Sequence, residues 1–73
     1  MGPGRWRSFM QVNGEQADLA RPMSLGAFLS DMEIGASRIV VERNGEIVAR
    51  DSYDTTMLSA GDVLEILYFV GGG

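Results

Sequence analysis

The sequence contains no cysteine, no histidine and no lysine among its 73 residues. Without cysteine and histidine, the chain has no thiolate nucleophile, no disulfide, no imidazole base and none of the usual zinc or iron ligands. Without lysine it cannot form a Schiff base. These absences remove most of the groups that enzymes use, so they favour a protein on which other proteins act over an enzyme.

Positive charge is also scarce, since six arginines stand against ten carboxylates and the formal charge is −4. This balance disfavours nucleic acid and anionic membranes as partners. No stretch approaches the roughly 18 apolar residues of a membrane span, and the N-terminus lacks the apolar segment of a signal peptide. With 45% apolar and 22% charged residues, the composition predicts one small globular domain in the cytoplasm.

The first third of the chain predicts a β-hairpin. Residues 1–7, which include Gly2-Pro3-Gly4, are expected to be a flexible extension. From Trp6 to Val12 the residues alternate between two faces, with a period of two that is typical of a strand. One face carries Trp6, Ser8, Met10 and Val12, and the other carries Arg7, Phe9 and Gln11. Asn13-Gly14 is typical of a type I′ turn, because both central residues of that turn need positive φ. The second strand is expected from Glu15 to Leu19 or Ala20, with Ala17 and Leu19 facing inward.

A helix is expected after Pro22. Its apolar residues recur at i, i+3, i+4 and i+7, which is one face of a helix: Leu25, Phe28, Leu29 and Met32. Ser24 is the expected N-cap, and the helix should end before Gly35, with Ile34 packed beneath it. Gly26 lies inside the helix, where glycine costs about 1 kcal/mol relative to alanine.

The second half of the chain predicts another hairpin and a long final strand. Residues 38–43 are rich in β-branched side chains and run through Asn44-Gly45 into residues 46–50. Residues 51–59 are expected to be turn-like, with Met57 and Leu58 buried as an anchor. The last strand is expected from Val63 to Val70. The order hairpin, helix, hairpin, strand favours an α+β fold of the β-grasp type, with a mixed four- to five-stranded sheet packed on one main helix over residues 8–70.

The final strand carries an apolar face that the core does not need. By parity, Leu64, Ile66 and Tyr68 share one face, while Val63, Glu65, Leu67 and Phe69 share the other. Because a charged glutamate is almost never fully buried without a partner, the Glu65 face is expected to look outward. Leu67, Phe69 and Val70 are therefore predicted to bind a partner, although isolated exposed apolar residues are also common on protein surfaces.

The last three residues, Gly71, Gly72 and Gly73, have no side chains to pack and are expensive to order. We expect them to form a flexible tail that can enter a narrow channel and present the α-carboxylate of Gly73. An ATP-dependent partner could convert this carboxylate into an acyl-adenylate, from which a sulfur or amine nucleophile would displace AMP. The alternative is an ordinary loose chain end.

Several stretches resemble one family closely. The resemblance extends over residues 8–73, and its matching stretches are "MQVNGE", "SLGAFL", "VVERNGEIVARDSYDTTML" and "AGDVLEILYFVGGG". They are similar to the sulfur-carrier family of thiamine biosynthesis, the ThiS family, within the ubiquitin-like β-grasp superfamily. Three features depart from the family pattern: the extension over residues 1–7, Gly26, and the looser stretch "ARDSYDTTM".

The resemblance implies a cycle centred on Gly73. An E1-like adenylating enzyme of the ThiF type would activate its carboxylate with Mg-ATP, so that the carrier itself binds no cofactor. A cysteine desulfurase or rhodanese-type protein would supply sulfur to give a thiocarboxylate. A thiazole synthase of the ThiG type would then use that sulfur to build the thiazole ring.

Three rival functions remain open at this point. They are the small subunit of molybdopterin synthase, which resembles this chain in fold and tail, a ubiquitin-like modifier of other proteins, and a β-grasp interaction module with an inert tail. A metal site is not expected, because Asp51, Asp54 and Asp62 lack the ligand spacing of a calcium loop. Arg43 and Arg50 are expected to be solvated charges, and Trp6 and Tyr53 to be packing residues.

Overall fold

The computed structural model describes residues 8–19, 21–35 and 38–69. Five strands and one α-helix account for most of them: β1 (Ser8–Val12), β2 (Glu15–Leu19), α1 (Leu25–Asp31), β3 (Ile39–Arg43), β4 (Glu46–Val48) and β5 (Val63–Tyr68). A short 3₁₀ helix, Arg50–Ser52, follows β4. The predicted element order and α+β class are confirmed. None of the described helices is long and apolar enough to cross a membrane.

The strands form one mixed sheet in the order β2-β1-β5-β3-β4. Strand β5 lies at its centre, parallel to β1 and antiparallel to β3. Both hairpins turn at the predicted Asn-Gly pairs, with φ of 51° and 84° at Asn13 and Gly14, and 53° and 88° at Asn44 and Gly45. These positive values are those that a type I′ turn requires. The two sequence signals therefore fix the two hairpin registers.

The helix begins as predicted. The Ser24 hydroxyl accepts a 3.0 Å hydrogen bond from the Ala27 N–H, so Ser24 is the N-cap. Leu25, Phe28 and Leu29 are buried in one core cluster together with inner residues of the sheet, among them Met10 and Leu64. Burial of this apolar surface is the main force that holds helix and sheet together.

The prediction that Met32 belongs to the buried helix face is wrong. The helix ends at Asp31, Met32 is its C-cap, and more than half of the Met32 surface is exposed. The i+7 position lies over the core only where the helix continues through it. Ile34 takes over this role, since its N–H donates to the Leu29 C=O at 2.9 Å and its side chain packs against the core.

The segment between β4 and β5 also differs in part from the prediction. Strand β4 ends at Val48, not at residue 50, and the 3₁₀ helix takes its place. Leu58 is buried, but Met57 is half exposed, because consecutive residues of an extended chain point to opposite sides. The second anchor is Tyr53, which is buried as predicted.

Gly26 has a structural setting that the sequence did not reveal. Its N–H donates to the Tyr53 C=O at 2.9 Å, and a Cβ at this position would overlap the carboxylate of Asp54. The other neighbours of that Cβ, including the Tyr53 backbone at 3.5 Å, lie at ordinary contact distance. The absence of a side chain thus lets the Asp54 carboxylate rest on the first turn of the helix.

Candidate docking face and glycine tail

The two faces of β5 separate as the sequence predicted. Leu64 and Ile66 are buried, whereas Leu67 and Phe69 are 48% and 55% exposed. Glu65 lies between Val63 and Leu67 on the exposed side. We call this side of the sheet the outer face. Tyr68 departs from the prediction: it has inward parity but is more than half exposed, because it ends the strand at the rim of the sheet.

The outer face gains apolar residues from the neighbouring strands. Val40 of β3 lies directly opposite Leu67, and the Phe69 N–H extends the ladder by donating to the Arg38 C=O at 2.9 Å. We call Val40, Leu67 and Phe69 the docking patch. Further along the same face, Phe9 and Ile47 are exposed on β1 and β4. Grouped apolar side chains of this kind are typical of protein interaction sites.

Sequence reasoning found Leu67 and Phe69 but missed Val40, Phe9 and Ile47 as part of this face. Their signal lies in strand pairing. Once Val41 and Met10 are assigned to the core, parity places Val40 and Phe9 on the opposite side. The pairing of Val40 with Leu67 then depends on the register between β3 and β5, which no local turn joins. The docking role of these residues stays a prediction.

The two hairpin turns hold β5 with asparagine side chains. The Asn13 Oδ1 accepts from the Ile66 N–H at 2.6 Å, and its Nδ2 donates to the Ile66 C=O at 3.2 Å. The Asn44 Oδ1 accepts from the Val63 N–H at 2.9 Å, while the Asn44 N–H donates to the Val63 C=O at 2.8 Å. Each asparagine therefore serves both its own turn and the backbone of the central strand.

Asp62, just before β5, is the buried charged residue of the described part of the chain, with 5% of its surface exposed. Its Oδ2 accepts from the Ser59 N–H at 2.8 Å and from Arg43 Nε at 2.9 Å, and its Oδ1 accepts from Asn44 Nδ2 at 3.1 Å. Burial alone would raise the pKa of Asp62. The bonds from Ser59, Asn44 and Arg43, with the charge of Arg43, outweigh burial and lower this pKa below its usual 3.8.

The prediction that Arg43 is a solvated charge is therefore wrong. Arg43 forms an ion pair with Asp62 at 2.9 Å, and only about a third of its side chain is exposed. The Asp62 carboxylate bonds Ser59 in the loop before β5 as well as Arg43 and Asn44 at the end of β3, and it therefore connects this loop to the sheet. Within residues 8–19, 21–35 and 38–69, no three His, Cys, Asp or Glu side chains converge in a way that could hold a metal ion.

The predicted tail residues Gly71, Gly72 and Gly73, together with Val70 and the extension over residues 1–7, lie outside the described residues. What the structure fixes is the strand that leads to them. Leu67 and Phe69 precede Gly71 by four and two positions in the sequence. The docking patch and the tail are thus neighbours along the chain.

Comparison with known proteins points to one family. The ThiS family model matches residues 10–73. The sulfur carrier protein ThiS of Bacillus subtilis is 32% identical over 65 residues, which cover 88% of this chain and 98% of that protein. A thiazole synthase of Paramagnetospirillum magneticum is 39% identical over 62 residues, which cover 85% of this chain but only 19% of that protein.

The structural comparison agrees with the sequence match. The crystal structure of the thiamine biosynthesis protein ThiS from Geobacter metallireducens superposes with a TM-score of 0.76 at 34% sequence identity. The superposition covers 89% of this chain and 99% of the other. The expected ubiquitin-like β-grasp fold and the family resemblance are both confirmed. This chain belongs to the ThiS family.

Proposed function

We propose that this chain is a sulfur carrier of thiamine biosynthesis that carries sulfur as a thiocarboxylate on Gly73. The observation that carries the proposal is the family match, which runs through the glycine tail to residue 73. The chain is a carrier protein rather than an enzyme, in keeping with a sequence that has no cysteine, histidine or lysine. Its reactive group is then the α-carboxylate of Gly73.

The proposed chemistry has two steps, both on a partner enzyme. In the first, an E1-like adenylating enzyme of the ThiF type uses Mg-ATP, the Gly73 carboxylate attacks the α-phosphorus, and pyrophosphate leaves. In the second, a sulfur nucleophile attacks the acyl carbon and AMP leaves. With sulfide as the nucleophile this gives the thiocarboxylate directly. In the cell, a cysteine desulfurase or rhodanese-type protein would supply the sulfur as a persulfide, whose attack gives an acyl disulfide; a thiol then cleaves it, releasing the thiocarboxylate and forming a disulfide. This chain contributes the thin tail and the outer face by which the enzyme holds it.

A thiazole synthase of the ThiG type is the proposed consumer of the sulfur. Support comes from two thiazole synthases, of Paramagnetospirillum magneticum and Magnetococcus marinus, in which a segment similar to this chain makes up 19% and 20% of the polypeptide. A carrier and the protein that it serves need to meet repeatedly. Their occurrence in one polypeptide is one way to raise the effective concentration of each for the other.

The function is tested by mass spectrometry of the intact protein. The chain is incubated with its cognate adenylating enzyme, Mg-ATP and sulfide, and exchange of one oxygen for sulfur is expected at Gly73. One alanine appended after Gly73 should abolish the exchange, whereas the same alanine added at the N-terminus should not. An unchanged mass with an enzyme that is active on another carrier would contradict the proposal. Covalent attachment to lysines of other proteins would instead indicate a modifier.

A further inference from the structure

Two glutamates face each other in the middle of the outer face. Glu42 of β3 and Glu65 of β5 are directly opposite in the antiparallel register. Residues in this relation point to the same side of the sheet, with Cβ atoms about 4.5–5.5 Å apart. Like charges at directly opposite positions destabilise a sheet. The pair is therefore a local disadvantage for the fold.

Apolar side chains surround this glutamate pair. Val63 and Leu67 flank Glu65 along β5, Val40 precedes Glu42 on the same face of β3, and Ile47 lies opposite Glu42 on β4. Val63, Leu67 and Ile47 are all substantially exposed, Ile47 to 70%. A partner that covers these apolar residues would also remove water from the two carboxylates. Such burial is strongly unfavourable unless the charges are paired.

The described residues of the chain offer no cation to the pair. The ion pairs formed among them join Arg43 to Asp62 and Arg21 to Asp31, and neither involves Glu42 or Glu65. Arg38 precedes β3 and is exposed, and it forms no ion pair with either glutamate. Within residues 8–19, 21–35 and 38–69, both carboxylates therefore lack a compensating charge, which a partner can supply.

We propose that Glu42 and Glu65 together accept an arginine side chain of the adenylating enzyme, with the apolar residues around them sealing the contact. This inference rests on the proposed function, because it takes that enzyme as the occupant of the outer face. A guanidinium group suits the site, since its planar array of N–H donors can bond two carboxylates at once. The negative charge of the carrier complements such a basic contact.

The proposal predicts opposite effects on stability and on binding. The double variant Glu42→Gln, Glu65→Gln should unfold at a higher urea concentration than the wild type, because the repulsion is gone. Its affinity for the adenylating enzyme, measured by calorimetry, should fall on the order of tenfold to hundredfold, as expected for lost hydrogen bonds to charged groups. Added salt should weaken wild-type binding more than binding of the variant.

A matched control carries the same charge change elsewhere. Glu15→Gln, Glu33→Gln alters two exposed glutamates off the outer face and should bind like the wild type. Unchanged affinity of the Glu42, Glu65 variant would overturn the inference, as would a parallel loss of stability and affinity. Self-association of the wild type that this variant abolishes would also overturn it, by making a second copy the occupant. If the wild type is not adenylated at all, the proposed function itself fails.

Discussion

Replacing Asp62 by asparagine should destabilise the fold, because it removes the charge of the carboxylate and turns one of its two acceptor groups into a donor. The side chain keeps its size, but one of its two oxygens becomes an NH₂ group. Oδ2 faces two donors, the Ser59 N–H and Arg43 Nε, so the new NH₂ cannot take that position. If it takes the other, it faces the donor Asn44 Nδ2. Asn44 cannot turn its amide without giving up the bond from the Val63 N–H.

The size of the effect follows from these partners. A hydrogen bond to a charged group contributes about 1.5–3 kcal/mol. The Arg43 contact contributes less, about 0.2–1 kcal/mol, because a third of that side chain is exposed. With asparagine at position 62, the bond from Asn44 Nδ2 is lost, and the bond from the Ser59 N–H is weakened because its acceptor is no longer charged. We expect the free energy of unfolding to fall by about 2–4 kcal/mol.

The assay is equilibrium unfolding in urea, followed by far-ultraviolet circular dichroism. With a slope of about 1 kcal/mol per molar urea for a small domain, the midpoint should fall by about 2 M or more. The control is Asp51→Asn, because Asp51 is exposed and substitutions at such positions change stability by no more than about 0.5 kcal/mol. An equal urea midpoint for the Asp62→Asn variant and the wild type would refute the reasoning.

Acid gives an independent check on the same residue. The pKa of Asp62 is lowered in the folded protein, so the unfolded chain binds a proton first as pH falls. The stability that the carboxylate provides is therefore fully present above the ordinary value of 3.8 and is lost as pH falls through the lower folded pKa. The difference between wild type and Asp62→Asn should be constant near neutral pH and should shrink in acid. A difference that widens in acid would reverse the assigned sign.

Two further substitutions test the outer face and the helix start. Leu67→Glu should weaken binding to the adenylating enzyme at least about tenfold and leave the urea midpoint nearly unchanged, because Leu67 is half exposed and central to the docking patch. The matched change Leu64→Glu should prevent folding, because Leu64 is fully buried. If Leu67→Glu instead unfolds the protein and Leu64→Glu does not, the faces of β5 are reversed. Gly26→Ala should raise the free energy of unfolding by about 0.5–1 kcal/mol in an Asp54→Ala background, measured by urea unfolding. The gain should be smaller in the wild type, because there the added Cβ must displace the Asp54 carboxylate. Equal gains in both backgrounds would exclude that contact.

Features decided by neighbouring residues could be predicted from the sequence. Both Asn-Gly turns, the Ser24 cap and the two faces of β5 depend on local geometry, and all four predictions are confirmed. The errors share a different origin. Met32 was assigned by a spacing that holds only while the helix continues, and Met57 by hydrophobicity without regard to the alternation of an extended chain.

The part of the site that sequence reasoning missed depends on contacts between distant residues. Arg43 meets Asp62 across 19 positions, and Asn13 meets Ile66 across 53. The opposition of Glu42 and Glu65 follows from the register between β3 and β5, which no turn specifies. A single sequence shows that these polar residues exist, but only the assembled sheet shows which of them meet.

The central position of β5 has a consequence for how the protein forms. The two hairpins do not pair with each other in the described sheet, and each meets the other only through β5. Yet β5 is the last of the described strands along the chain, so during synthesis the hairpins emerge before the strand that joins them. Such long-range closure is the slow step of folding for sheets of this kind. Completion of the fold is thereby tied to arrival of the strand that bears Leu67, and a chain truncated before β5 lacks a closed core as well as Leu67 and Phe69 of the docking patch.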